Sequence, residues 1–366
     1  MSGEEHRSAA LLSGFLAGEG FRVREGVAGL PTAFVATKRG RRGGPRVALL
    51  AEYDALPGIG HACGHHLIGA AACGAAAAVG RVLDDLAGEI VVVGTPAEET
   101  IGGKVVMANR GIFRGLDAAL MFHPSTENRV NTTSLACHSL EVIYKGRAAH
   151  AVASPDKGIN ALHSMLHLFS AVDRLRRRLP PQVRMPGIIL EGGRRANIVP
   201  DRAVARFSLR APDLPGLRRV ERSFRLAVQS AARATGARAI VRPADYTYAE
   251  MVTNRTLAAL FKKELAQMGR RTVDTPRKRM GSLDMGNVSQ VVPSIHPYVA
   301  VAPPSVPLHS VRFARYSGGP AGWAGLRVAT RALAGVALTL LVDDSALVSA
   351  RREFRASRRR AGRKRC

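Results

Sequence analysis

Residues 46–71 read RVALLAEYDALPGIGHACGHHLIGAA, and this stretch decides the fold. An apolar, strand-like run, RVALLAE, delivers Asp54, His61, Cys63, His65 and His66 into a segment broken by Gly58, Gly60 and Gly64. Cys63 and His65 stand two apart, so an extended backbone would point both side chains the same way. Thiolate with imidazole is a donor set that suits zinc and its first-row neighbours. The reading is a metal site at the carboxyl end of a buried strand.

Two more strands point to the same place. Residues 89–96, EIVVVGTP, are β-branched and bounded by Gly94 and Pro96, and they lead to the adjacent carboxylates Glu98 and Glu99. Residues 118–124, AALMFHP, form a third apolar run that stops at His123. Taken singly, each feature has an ordinary explanation: a buried cysteine is usually packing, which is the reading for Cys73 and Cys137, and a Glu-Glu pair usually opens a solvated helix. Taken jointly, metal-competent and acid-base groups at three successive strand ends are what an open α/β sheet presents at a ligand site.

The chain has 366 residues and a formal net charge of +26, ample for two domains with real cores. Its four cysteines lack paired spacing, which argues for a reducing, cytoplasmic compartment. Residues 1–21 carry Glu4, Glu5 and Glu19 and do not read as a signal peptide. The apolar run 332–342 is too short to span a bilayer at about 20 residues and reads as the buried face of a helix, so no membrane partner is expected. The charge excess concentrates at 174–178, RLRRR, and in the tail 351–366, which is expected to be disordered. Aromatics make up 5% and none interleave with the basic runs, so base stacking is unsupported and a nucleic-acid partner is not expected. An arginine excess of this kind follows from GC-rich coding; a positive field that draws in anionic substrates is the weaker reading.

The segments AEYDALPGIGHACGHHLIG, GTPAEETIGGKVVMANRGIF, ALMFHP, YKGRAAHA, GGRRANIVPDRAVARF and GSLDMGNVSQVVPSIHPY, in this order along the chain, resemble the M20 family of metallopeptidases and amidohydrolases. The resemblance is greatest to its branch D, with aminoacylase-like and p-aminobenzoyl-glutamate hydrolase-like members. It implies an α/β fold: a catalytic domain with a central mixed sheet flanked by helices, interrupted by a smaller α+β lid or dimerisation domain. Residues 1–136 and 249–350 would form the catalytic domain, and 137–248 the insertion. It also implies two divalent ions, zinc or manganese with cobalt allowed, bridged by Cys63. His65 and His123 would complete one ion site, Glu99 and His309 the other, and Glu98 would be the general base. Two dications lower the pKa of a bound water and polarise an amide carbonyl, while an unligated carboxylate moves the proton.

Asp54, two residues beyond Glu52, is read either as orienting a ligand or as a strand-end cap. His150 resembles the family histidine that a partner subunit offers to the oxyanion, which implies a functional homodimer through the inserted domain. Asn197 and Arg210 resemble the positions that bind a substrate carboxylate, although Arg210 also reads as a surface strand arginine. His296 lies in a matching motif on the substrate side, and 281–289, with Asp284, reads as a loop lining the site. His61 and His66 are not read as ligands; relatives often carry Asn or Asp at the His66 position. Relatives also carry a further helix before residues 4–23, and the glycine-rich stretch 316–325 is unusual enough to displace the last helix. The implied function is metal-dependent cleavage of an amide in an N-acyl amino acid, an aminobenzoyl-glutamate-like conjugate or a dipeptide. The alternative is an inactive scaffold whose basic surface binds a polyanion or nucleic acid; retention of Cys63, His65, Glu98, Glu99, His123 and His309 argues against it.

Overall fold

The computed structural model describes residues 1–275 and 281–363, with side chains through 359. Two compact units emerge, Met1–Thr133 with Met251–Cys366, and Ser134–Glu250.

The first unit opens with helix α1 (His6–Gly18) and strands β1 (Arg22–Glu25), β2 (Phe34–Arg39) and β3 (Arg42–Glu52). Helix α2 (His65–Gly80), β4 (Ala87–Thr95), helix α3 (Gly103–Asn109) and β5 (Ala118–Leu120) follow. A late strand, β11 (Ser294–Ile295), completes a six-stranded sheet of order β1-β2-β4-β3-β5-β11. β3 runs parallel to β4 and β5, whereas β1 and β2 are antiparallel additions, so the sheet is mixed. Central position explains the unbroken apolar run in β4: Ile90, Val91, Val92 and Val93 are all buried, as strands covered on both faces must be. Each such side chain contributes about 1.5–3 kcal/mol relative to exposure. Helix α2 is rich in Ala and Gly and buries twelve of its residues between this sheet and a long C-terminal helix, α9 (Pro320–Val342).

The parallel strands β3, β4 and β5 all end at the same edge, so the segments after Glu52, Thr95 and Leu120 converge there. The third apolar run divides. After Leu120 the chain leaves the large sheet through buried Met121 and Phe122 and starts β6 (His123–Ser125), which pairs with β12 (Tyr298–Ala300) in a separate two-stranded sheet.

The second unit is a four-stranded antiparallel sheet, β7 (Ala136–Lys145), β8 (Gly187–Glu191), β9 (Arg202–Ala211) and β10 (Arg238–Pro243), in the order β10-β7-β9-β8. Helices α4 (Ala161–Arg178) and α5 (Leu214–Thr235) pack on it through Met165, Leu168, Leu217, Val220 and Phe224. Side-chain caps set both helix starts: Asn160 accepts from the His163 N–H and Asp213 from the Gly216 N–H.

Two expectations fail here. The basic tail is ordered as helix α10 (Asp344–Arg363), because its residues have partners that a charge count does not show. Glu353 caps helix α6 (Arg255–Gln267) by accepting from the backbone N–H groups of Arg255 and Thr256 at 2.8 and 2.9 Å. Arg351 pairs with Asp117, Leu347 and Ala350 are buried, and Asn254 Nδ2 donates to the Ala350 carbonyl at 2.9 Å. Positions 364–366 lie outside the described residues. The stretch 316–325 is not a displacing linker: α8 (Val311–Ser317) ends there, and α9 starts at Pro320 with Val328, Ala329, Ala332, Leu333 and Val336 in the core. That helix is 23 residues long, long and apolar enough to cross a bilayer by length and composition, and half of its most apolar window is buried. It is twice the length of the apolar run that announces it in the sequence.

Candidate metal centre

The turn after β3 places the first donors. Cys63 and His65 are not on an extended segment: Gly64 between them adopts φ +80° at the start of α2, a conformation a β-carbon disfavours, and a β-carbon there would also sit 3.0 Å from Pro124. Cys63 thereby stays in the turn while His65 opens the helix. Asp54 braces the arrangement. One carboxylate oxygen accepts from His65 Nδ1 at 2.8 Å, and the other accepts from the Glu99 N–H at 3.0 Å. His123 is oriented in the same way, its Nδ1 2.7 Å from the Pro124 carbonyl, which leaves Nε2 facing Cys63. Two of the three non-glycine residues with positive φ among those described are Ala97 and His309, beside the two Glu donors and at the last His. Such conformations cost on the order of 1–3 kcal/mol each and persist where surrounding structure holds them. Here the His309 N–H donates to the Ala62 carbonyl at 3.1 Å.

Among the described residues, two triads of donor atoms share Cys63: Cys63 with His65 and His123, and Cys63 with Glu99 and His309, all donor atoms of each within 4.8 Å of one another. Cys63 Sγ lies 3.4 Å from His123 Nε2 and 3.3 Å from His309 Nε2. Glu99 Oε1 is 3.9 Å from His65 Nε2 and 3.8 Å from His309 Nε2. Two further groups of the same reach lack Cys63: Glu98 with His65 and Glu99, and Glu52 with Asp54 and His65.

Electrostatics show how closely packed these groups are. Burial, with Glu99 and Glu98 nearby, pushes the Cys63 thiol up to about 12 against the opposing pull of His65. Burial and the neighbouring His296 and His65 hold His123 well below the usual imidazole range. Burial would lower His65 too, yet Glu52, Cys63 and Asp54 together hold it well above that range. Glu98 is raised well above the usual carboxylate range, first by burial and then by Asp284 and Glu52. His65 Nε2 and Glu99 Oε1 are buried and make no aligned hydrogen bond, although Glu52 Oε1 stands 3.0 Å from His65 Nε2, an arrangement that is costly for polar atoms. Thiolate, imidazole and carboxylate donors that point at one another with unused lone pairs fit divalent cations.

Cys63, Glu99, His123 and His309 wall a cavity of about 240 Å³ with Glu52, Glu98, His296, Tyr298 and the 281–284 segment. A larger groove of about 830 Å³ between α2, α6 and α9 is lined mainly by Ala, Gly, Leu and Trp323 and holds none of the clustered donors, so size does not locate the chemistry.

The sequence profile of peptidase family M20/M25/M40 matches residues 48–312, which include both triads. The chain belongs to that family. Its M20 relatives include Xaa-Arg dipeptidase of Mus musculus, 34% identical over 96% of this chain and 85% of the relative. A p-aminobenzoyl-glutamate hydrolase component of Escherichia coli K12 is 32% identical over 73% of this chain and 59% of its own length. Among solved structures, a dinuclear metal-binding M20 peptidase of Bacillus subtilis superposes with a TM-score of 0.73 at 20% identity, covering 93% of this chain and 94% of the other. At that identity the likeness shows the M20 fold. By membership the chain is a hydrolase.

The remaining predicted residues divide between the units. His296 is buried at the cavity wall, its ring 5.4 Å from that of His123, and burial lowers it to about 4. His61 and His66 pack together with ring centroids 4.5 Å apart and ring planes tilted by 48°, and join no donor group among the described residues. In the second unit, His150 and Asn197 are exposed and adjacent, joined by the Ala151 N–H donating to the Asn197 carbonyl at 3.0 Å. Arg210 is half-buried on β9, opposite Cys137, with its Nε donating to Ser208 Oγ at 3.3 Å. It lies eight residues along β9 from Arg202, the end nearer Asn197, or about 27 Å at the rise of an antiparallel strand. The M20 motifs as read in the sequence passed over Glu52 and Lys104, which reach the site from β3 and α3. Alternation along β3 was the available signal for Glu52, which points the same way as Asp54. A lysine in a short helix reads as solvated, so Lys104 had none.

Proposed function

We propose that the chain is a hydrolase with two divalent metal ions that cleaves the amide bond of a dipeptide, or of an N-acyl or aminobenzoyl-glutamate-like conjugate. The pair of triads sharing Cys63 carries this reading. Cys63, His65 and His123 would hold one ion, and Cys63, Glu99 and His309 the other. Bound there, the ions would supply Lewis acidity, lowering the pKa of an attacking water and polarising the scissile carbonyl. Glu98 handles the proton: it takes it from the water and delivers it to the departing amine. Asp54, hydrogen-bonded to His65 Nδ1, keeps Nε2 directed at the centre. The thiolate and imidazoles favour zinc, and the Glu99 carboxylate admits manganese or cobalt.

A dipeptide is placed first among substrates because the relative matched over nearly the whole chain is named a dipeptidase. The aminobenzoyl-glutamate class is supported by the E. coli relative. Neutral His296 faces this substrate at the cavity wall. We assign Asn197 and Arg210 to a substrate carboxylate and His150 to the oxyanion of a partner copy's substrate. The buried, unpaired thiols of Cys63, Cys73 and Cys137 support a reducing, cytoplasmic setting.

The test is amine release from dipeptides ending in basic, acidic or apolar residues, from N-acyl amino acids and from p-aminobenzoyl-glutamate, with protein loaded with Zn²⁺ or Mn²⁺. Turnover that chelation abolishes and metal restores is expected for at least one class. No turnover, together with salt-sensitive retention of nucleic acid, would favour the polyanion-binding alternative.

A homodimer is supported by β8, one of the two edge strands of the second unit's sheet, which exposes Ile188, Ile189 and Leu190. An apolar sheet edge of this kind pairs readily with another copy. Ile188→Lys with Leu190→Lys is expected to convert a dimer into a folded monomer in sedimentation equilibrium. A double variant that stays dimeric would place the interface elsewhere.

A further inference from the structure

Glu52, Lys104 and Asp284 come from β3, from α3 and from the residue before helix α7 (Met285–Ser289), and all three are buried. Lys104 Nζ donates to Glu52 Oε2 and, at 2.9 Å, to Asp284 Oδ1; the Lys104 backbone N–H donates to Asp284 Oδ2 at 3.0 Å. The other Glu52 oxygen, Oε1, stands 3.0 Å from His65 Nε2. Asp284 in turn ends the 281–284 segment, which lines the cavity together with Glu98.

A fully buried ammonium persists only when opposite charges and hydrogen bonds compensate it, and an apolar replacement of a buried ion pair is often neutral for stability. Folding alone therefore does not require a lysine here. What the ammonium does is local: Glu52, Glu98, Glu99 and Asp284 crowd one cavity of about 240 Å³, and like charges at such range repel unless a cation stands among them. A carboxylate held by an ammonium on one oxygen and facing an imidazole with the other cannot rotate without losing both contacts.

We propose that Lys104 is a positioning residue of this site: it fixes the Glu52 carboxylate at the ion-facing Nε2 edge of His65 and ties the 281–284 segment beside Glu98. This rests on the reading of Cys63, His65 and His123 as an ion-holding set. The informative variant is Lys104→Met with Asp284→Asn, which removes one cation and one anion and so leaves the buried charge unchanged. Metal-free protein is titrated with Zn²⁺ against a chromophoric chelator, and kcat, KM and the pH profile are measured on reloaded enzyme. The folded double variant is expected to bind one of its two ions about 10- to 100-fold more weakly, the range seen when outer partners of a ligand are lost. Its kcat should fall by more than KM rises, and the acidic limb of its pH profile should move. Parental affinity for both ions with a parental pH profile would overturn the proposal.

If the double variant does not fold, Asp284→Asn decides alone, because it keeps the shape and removes only the charge behind Lys104. Its affinity for one ion should fall about tenfold, and parental affinity for both would overturn the proposal. A parent protein that takes up fewer than two ions would instead overturn the metal-site reading, and this proposal with it.

Discussion

Cys63→Ala is expected to abolish tight binding of both metal ions and nearly all turnover. Cys63 is the one donor common to both triads, with its Sγ 3.4 Å from His123 Nε2 and 3.3 Å from His309 Nε2. Its loss leaves two donors in each set, so the fall in affinity should exceed the about 10- to 100-fold that loss of an outer partner costs. Metal-free stability should change by no more than about 1 kcal/mol, because the buried thiol makes only weak contacts with the two imidazoles. The rise in Tm that ions give the parent by binding the folded state should disappear in the variant. Metal analysis after dialysis, with thermal unfolding at several Zn²⁺ concentrations, reads both quantities. Two ions retained per chain would remove Cys63 from its bridging role and, with it, the dinuclear reading.

Glu98→Gln separates the two adjacent carboxylates. Both reach within 4.8 Å of His65, and only Glu99 also groups with Cys63 and His309. The amide keeps the size of the side chain and cannot accept the proton, so kcat should fall about 10²- to 10⁴-fold while both ions remain bound. Glu99→Gln should instead weaken ion binding. The pH dependence carries a sign that can be checked. Burial, Asp284 and Glu52 raise Glu98 above the usual carboxylate range, so its base form is present above that raised pKa and is lost as pH falls through it. The acidic limb of kcat/KM in the parent should be absent from the residual activity of Glu98→Gln. An ion lost from Glu98→Gln and kept in Glu99→Gln would show that the two roles are exchanged.

Much of this site was legible because its donors follow apolar strands. The β-branched run in β4 and the run in β3 mark buried parallel strands, and a doubly covered strand leaves its polar residues only at its ends. Asp54, Cys63, Glu98 and Glu99 were found that way. Other features depended on contacts that no local pattern carries. Lys104 looks solvated because lysine usually is, and its partners Glu52 and Asp284 lie 52 and 180 residues away. The tail looks disordered because of its arginines, yet Glu353 caps α6 from 97 to 98 residues away. The run 118–124 looks like one strand, and its division into β5 and β6 follows from pairing with β11 and β12, 175 residues on.

By itself the sequence determined which residues are metal-competent, which strands deliver them, and that a family of metal-dependent hydrolases shares their order. Composition, alternation and spacing encode these directly, since they are properties of neighbouring residues. Only the tertiary structure decided how the donors divide into two sets around one thiol. Cys63 and His309 meet across 246 residues of sequence, a distance that only the completed fold closes. The left-handed backbone at Gly64, Ala97 and His309 also belongs to the fold, because surrounding hydrogen bonds and packing hold conformations that those segments would not adopt alone.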